Sequence, residues 1–243
     1  METFIYKTAD GCSIHLDVYE PKAAEPSPVV MWIHGGALIS GRRRIDASGR
    51  LLLLRMLRDA GFAQISIDYR LAPETKLPDI VADVRDAIRW LRSAAPPRLN
   101  LDATRLGILG QSAGGYLALM AGHVVKPPPQ ALVTFYGYGD ITGDWYRKPD
   151  DFYRRRQHVS RQEAWDCVGE HAVADCPPGQ RAPFYLYCRQ QGRWLQEVVG
   201  LDPEIDLSAF DPFRPILHVS ADTRRRCCCM APSTRMCPTS KPW

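Results

Sequence analysis

Leu106-Gly107-Ile108-Leu109-Gly110-Gln111-Ser112-Ala113-Gly114-Gly115 is the stretch that decides the architecture. Leu106–Leu109 reads as a short apolar strand, and G-x-S-x-G then opens into a helix of small residues over Gly115–Gly122. A serine at a sharp strand-to-helix turn is pushed out from the end of a sheet, and such a turn tolerates only small neighbours. The helix behind it aims backbone N–H groups at the place where negative charge would develop. Ser112 is therefore the candidate nucleophile, and Gly110, Gly114 and Gly115 shape its turn. The competing reading is a tight turn that serves packing alone.

Outward from this point the chain alternates two hydrophobic periods. Val29–Ile33 is a continuous apolar run suited to a strand covered on both faces. Arg50–Ala60 is apolar on one side and stops at Gly61, as a helix would. Ala63–Ile67 reads as a strand. Asp79–Leu91 places Ile80, Val84, Ala87, Ile88 and Leu91 at three- and four-residue steps, which makes an amphipathic helix. Leu132–Tyr136 reads as a further strand. Strands and helices in alternation imply a parallel sheet with helices on both faces. Phe4–Lys7 and Ile14–Tyr19 form an antiparallel lead-in around Asp10-Gly11. Residues 137–212 break the rhythm with aromatics and arginines; they read as a cap-like insertion, with a capping-box spacing at Ser160 and Glu163.

A second element sits directly after Val29–Ile33: His34-Gly35-Gly36-Ala37. Acyl transfer needs backbone donors already aimed at an oxyanion, and paired glycines let the backbone approach closely. The N–H groups of Gly35, Gly36 and Ala113 are the candidate oxyanion hole. His34 belongs to the loop and reads as a residue that fixes it by hydrogen bonds, not as the catalytic base.

His34-Gly35-Gly36, Asp68-Tyr69-Arg70-Leu71-Ala72-Pro73-Glu74 and Gly110-Gln111-Ser112-Ala113-Gly114-Gly115 occur in that order. Together they resemble the α/β-hydrolase superfamily, in particular its esterase/lipase group related to hormone-sensitive lipase and to bacterial feruloyl-esterase-like (BD-FAE-type) carboxylesterases. The resemblance runs from residue 4 to about 136. It implies an α/β-hydrolase fold, a serine carboxylic-ester hydrolase working through an acyl-enzyme on Ser112, a Ser…Asp…His triad, and no cofactor or metal. It also implies that the Tyr69–Glu74 segment is structural support near the site.

The C-terminus departs from that pattern. No histidine follows His218, and Asp222, after the strand-like Ile216–Val219, is a weak candidate for the acid with nothing downstream to complete a triad. His218 precedes Asp222 and reads as structural. Residues 224–243 hold Arg224, Arg225, Arg226, Arg235 and Lys241 without an acid, together with Cys227, Cys228, Cys229 and Cys237. Read one base earlier, the codons for Cys227–Met230 force two leucines, then His or Tyr, then Gly; Met236 and Cys237 force a Val six residues after that Gly, which Pro can follow. This resembles the family's strand–His-Gly-x-x-Asp-x-x-Val-Pro segment. The expectation is a frameshift near Thr223: an α/β-hydrolase domain over 1–223 missing its last strand and helix, a non-native disordered tail over 224–243, and at most trace activity. The alternative is a catalytically silent hydrolase-fold protein that binds a ligand.

Composition narrows the remaining classes. The chain has 243 residues, 45% of them hydrophobic and 24% charged, the balance of an ordinary folded domain. Its net charge of +4 is concentrated in the last twenty residues, which leaves the body near neutral. That argues against nucleic acid as a partner. The contiguous Cys227–Cys229 lack the spacing of a zinc site. Cys12, Cys167, Cys176 and Cys188 read as reduced thiols. With no apolar run of membrane length and no leader pattern at Met1–Phe4, the expectation is a cytoplasmic protein with no membrane partner, acting on a small-molecule ester. The aromatic insertion points to an apolar or aryl group in that ester.

Overall fold

A computed structural model describes the chain except residues 20–24, 46–47, 222, 224–226 and 231–243. Its centre is a seven-stranded sheet in the order β1-β2-β4-β3-β5-β6-β7. The antiparallel lead-in is β1 (Glu2–Ala9) and β2 (Cys12–Tyr19), and β2 runs antiparallel to β4 (Ala63–Ile67). From there the sheet is parallel: β4 with β3 (Ser27–Ile33), β3 with β5 (Leu101–Gln111), and β5 with β6 (Ala131–Phe135). All of β4 is buried, and Val29, Met31 and Ile33 of β3 are buried, as expected of strands covered on both sides.

Three long helices cover this sheet: α1 (Ser48–Asp59), α2 (Leu77–Ser93) and α3 (Ala113–Val124). Pro78 stands in the first turn of α2, where its missing N–H costs nothing, and Leu77, Ile80, Val84, Ala87, Ile88 and Leu91 form its buried face. Burial of each large side chain contributes roughly 1.5–3 kcal/mol. The helix α3 starts at Ala113, two residues before the expected Gly115, because the glycines are part of its first turn. β5 starts five residues earlier than Leu106; its polar Leu101–Arg105 half lies past a register shift at Pro28/Val29, so it lacks the apolar signature of a core strand.

Residues 137–213 hold short helices: α4 (Asp144–Arg147), α5 (Asp151–Arg154), α6 (Arg161–Trp165), α7 (Ala182–Gln191) and α8 (Trp194–Val199), followed by a 3₁₀ segment at Ser208–Phe213. The capping box is formed: the Glu163 N–H donates to Ser160 Oγ (3.2 Å) and the Ser160 N–H to Glu163 Oε2 (2.7 Å).

Two expectations at the C-terminal end are corrected. Ile216–Val219 is not a strand: Pro215–His218 is a 3₁₀ turn, with the Leu217 N–H donating to Arg214 O (2.9 Å) and the Ile216 N–H to Gly139 O (2.9 Å). Pro215 sets the turn and leaves too few residues for a ladder. The sheet also does not stop at β6. Cys227–Met230 form β7, parallel to β6 with Leu132 opposite Cys227 and Phe135 opposite Met230, so a strand lies beyond the boundary expected at residue 223. Asp222, Arg224–Arg226 and Cys237 lie outside the described residues.

Candidate active site

Ser112 caps α3 with φ +53° and ψ −122°, a conformation that costs an L residue roughly 1–3 kcal/mol. The surrounding backbone enforces it. The Ser112 N–H donates to Phe135 O at the end of β6 (2.9 Å), and the Tyr116 N–H donates to Ser112 O (3.0 Å). There is no room for side chains around the turn. A Cβ at Gly110 would lie 2.1 Å from Gly114 O, and one at Gly114 would lie 2.1 Å from Ile33 O. One at Gly115 would reach Thr134 Oγ1 at 2.8 Å. Ala113 is the first residue of α3, so its N–H belongs to the positive end of the helix dipole.

The loop after β3 closes on this turn from the side. A Cβ at Gly35 would lie 2.8 Å from Gln111 O and 3.3 Å from Ser112 Cβ, so Gly35 meets the serine turn at close range. Gly36 has φ +118°, and Ala37 and Leu38 follow at +57° and +64°. His34 Nδ1 stands 2.8 Å from Gly35 O. A carbonyl can only accept, so Nδ1 carries the proton. In a trans peptide the carbonyl and the next N–H point in opposite directions, so this bond fixes the direction of the Gly36 N–H. The His34 ring is stacked on Tyr69 at 4.2 Å, and Tyr69 Oη donates to His34 O (2.9 Å). His34 is thus tied to the loop through Gly35 O and packed on Tyr69.

The Asp68–Glu74 segment braces the loop. Asp68 accepts from the Arg43 N–H and from Arg43 Nη1, both at 2.6 Å. Burial pushes the Asp68 carboxyl up to about 6, with Arg43 opposing that rise. Arg70 donates from Nε and Nη2 to Asp83 of α2, both at 2.9 Å, and also pairs with Asp10. Glu74 receives Arg181 Nη1 at 2.9 Å, and both side chains are nearly fully buried. Arg181 comes from the insertion, as does Trp194, whose Nε1 donates to Ala37 O (3.0 Å). Sequence reading missed both, since no spacing within the insertion marks a residue whose partner lies more than a hundred positions away.

Among the described residues none hydrogen-bonds the Ser112 hydroxyl. His218 is stacked on His123 at 3.8 Å, and His123 is in the last turn of α3. At about 1.5 Å of rise per residue this puts the pair roughly 16 Å along the helix from Ser112. Among the described residues no group of three or more metal-ligating side chains occurs. A cavity of about 390 Å³ is lined by Pro149, Arg154, His158, Gln190 and Gln191, none of them at the nucleophile. A recess of about 20 Å³, room for one water, lies beside it against Trp32, His34, Arg43 and Gln111.

The fold has close counterparts. A protein of unknown function from Staphylococcus aureus subsp. aureus Mu50 superposes with a TM-score of 0.70 at 22% identity, covering 83% of this chain and 70% of that one. An alpha/beta hydrolase superfamily protein from Enterococcus faecalis gives 0.68 at 25% identity, covering 88% and 74%. The propionate-bound esterase Est2 from Thermogutta terrifontis gives 0.56 at 21%, covering 90% and 67%. Among curated proteins, the non-reducing polyketide synthase adrD of Penicillium roqueforti is 31% identical over 194 residues, and pkbA of Emericella nidulans is 38% identical over 163. These cover 73% and 62% of this chain but only 8% and 6% of those synthases, so the chain corresponds to a small part of each. The BD-FAE family model matches residues 16–143, which takes in the glycine loop, the Asp68–Glu74 brace and the serine turn. On that match the chain belongs to the BD-FAE family, within the α/β-hydrolase superfamily.

Proposed function

We propose that the site is that of a serine carboxylic-ester hydrolase. The observation that carries this reading is the strained backbone of Ser112, at φ +53°, pressed against the Gly35–Gly36 loop. In the reaction Ser112 Oγ attacks an ester carbonyl and its proton passes to a base. The carbonyl oxygen becomes an oxyanion held by the N–H groups of Gly35, Gly36 and Ala113, the alcohol leaves, and water releases the acyl group. Each such donor is worth about 10²–10³ in turnover. No cofactor takes part. The partner is a small-molecule ester; nucleic acid is not one, and neither is a membrane. Among the described residues no helix is long and apolar enough to cross a bilayer.

The chain as written lacks the base. Losing a triad member costs about 10⁶ in turnover and leaves roughly 10³–10⁴ over water. The acid and histidine are assigned to the frame one base earlier, beyond Thr223, where the shifted reading of Cys227–Met230 would occupy the place of β7. The expected results are, with the shifted frame restored, hydrolysis of p-nitrophenyl acetate that falls to that residual rate in Ser112→Ala, and a shifted frame in the genomic DNA that continues to a histidine about thirty codons on. A rate untouched by Ser112→Ala would overturn the first point, and a shifted frame that stops early would overturn the second.

That no described residue hydrogen-bonds the Ser112 hydroxyl favours a second reading, a silent hydrolase-fold binding protein. Tight, saturable binding of an ester with no turnover would select it.

A further inference from the structure

The loop that carries the oxyanion donors is held by the insertion. Trp194 Nε1 donates to Ala37 O (3.0 Å), Arg181 Nη1 to Ile39 O (3.3 Å), and Gly41 and Cys176 exchange a pair of backbone hydrogen bonds (2.6 and 3.0 Å). Ala37 and Leu38 both have positive φ, a conformation unfavourable for L residues that the loop would not keep unaided. Holding the Ala37 carbonyl fixes the peptide plane that follows it. The plane before it is fixed by Gly36 O, which accepts from the N–H groups of Ile39 and Ser40 (both 3.0 Å).

The same tryptophan also reaches the nucleophile turn. Its ring is stacked on Tyr146 at 3.9 Å, and Tyr146 meets Tyr138 edge-on at 5.2 Å. Tyr138 is stacked on Tyr116 at 5.1 Å, and the Tyr116 N–H donates to Ser112 O (3.0 Å). All four rings are buried. Offset and edge-to-face contacts of this kind resist sliding because the ring quadrupoles favour particular offsets.

We infer that the run Tyr116–Tyr138–Tyr146–Trp194 is a brace that sets the spacing between Ser112 and the glycine amides, with Trp194 as a positioning residue whose indole N–H keeps the loop in its donor-forward form. The inference rests on the ester-hydrolase reading for its chemical consequence, while the mechanical part stands apart from it. The insertion is then part of the machinery: where it is displaced, the oxyanion loop relaxes.

The test removes one N–H and nothing else. The full chain carrying 3-benzothienylalanine at position 194 keeps the shape of the indole and replaces the N–H by sulfur; Trp194→Phe is the second variant. Two readouts are taken: phosphonylation of Ser112 by an alkyl fluorophosphonate, and hydrogen exchange of the peptide covering residues 33–42. The benzothienyl protein should show a maximal labelling rate about tenfold lower, less than the loss of a whole oxyanion donor, with an unchanged half-saturating reagent concentration. Exchange in 33–42 should rise about tenfold while that in 110–116 and the melting temperature stay put. Trp194→Phe should move both readouts the same way. Wild-type labelling and exchange in the benzothienyl protein would overturn the brace. If the parent chain is not labelled, the missing base accounts for it, and the exchange result alone decides the brace, for it if 33–42 loosens and against it if not.

Discussion

The two loops that face each other above β3 and β5 are held in opposite ways. The serine turn is clamped from within the sheet, because Gly110, Gly114 and Gly115 sit where Gly114 O, Ile33 O and Thr134 Oγ1 leave no space for a methyl group. The glycine loop is held from outside, by Trp194, Arg181 and Cys176 of the insertion acting on Ala37, Ile39 and Gly41. One half of the site is thus rigid by steric exclusion, and the other by hydrogen bonds that a distant segment supplies. The contrast implies that damage to the sheet destroys the serine turn together with the fold, whereas damage to the insertion loosens the glycine loop and leaves the serine turn in place.

The largest effect that would break this contrast is at Gly114. Alanine there puts its Cβ against Ile33 O and His34 O, backbone atoms that cannot move aside, so Gly114→Ala should lose more than about 4 kcal/mol in urea unfolding or fail to fold. Wild-type stability would mean that the turn is not clamped by the sheet. Next comes Glu74→Gln, which leaves Arg181 buried without its counter-charge and should cost about 3 kcal/mol. Its distinguishing mark is faster hydrogen exchange at residues 33–42 than at 110–116; equal change in both would erase the distinction.

Ser160→Ala sharpens the comparison from the other side. It removes a cap in the insertion that touches neither loop, and should cost about 1 kcal/mol in unfolding while leaving exchange at 33–42 as it was. The smallest effect lies at the far end of α3. Burial, then His218 and Lys126, hold the His123 imidazole below its ordinary value. The unfolded chain therefore binds more protons in that window, and stability falls as pH drops below about 6.5. His123→Phe should flatten that slope of melting temperature against pH, with no change in Ser112 labelling.

The same contrast explains what was legible in the sequence. The serine turn could be read from its letters because its constraints are local: Gly110-Gln111-Ser112-Ala113-Gly114 states its own crowding, and Gly35-Gly36 announces a close approach. The brace could not be read, since Trp194 and Arg181 act on residues 157 and 142 positions away and share no period with them. At the C-terminal end the four-residue stretch Ile216–Val219, three of its residues apolar, suggested a strand but is too short to separate from a turn, and Pro215 decided for the turn. The early half of β5 was missed for the opposite reason: Asp102, Thr104 and Arg105 lie at the sheet's rim and carry no hydrophobic alternation.

The position of β3 between β4 and β5 bears on how the chain is made. It pairs with β4 after about thirty residues of further synthesis, but its other side waits for β5, which begins roughly seventy residues downstream of Ile33. At about 5–20 residues per second, the bare flank of Val29–Ile33 is left open for several seconds on the ribosome. During that interval the nascent polypeptide is at its most vulnerable to pairing with a neighbour.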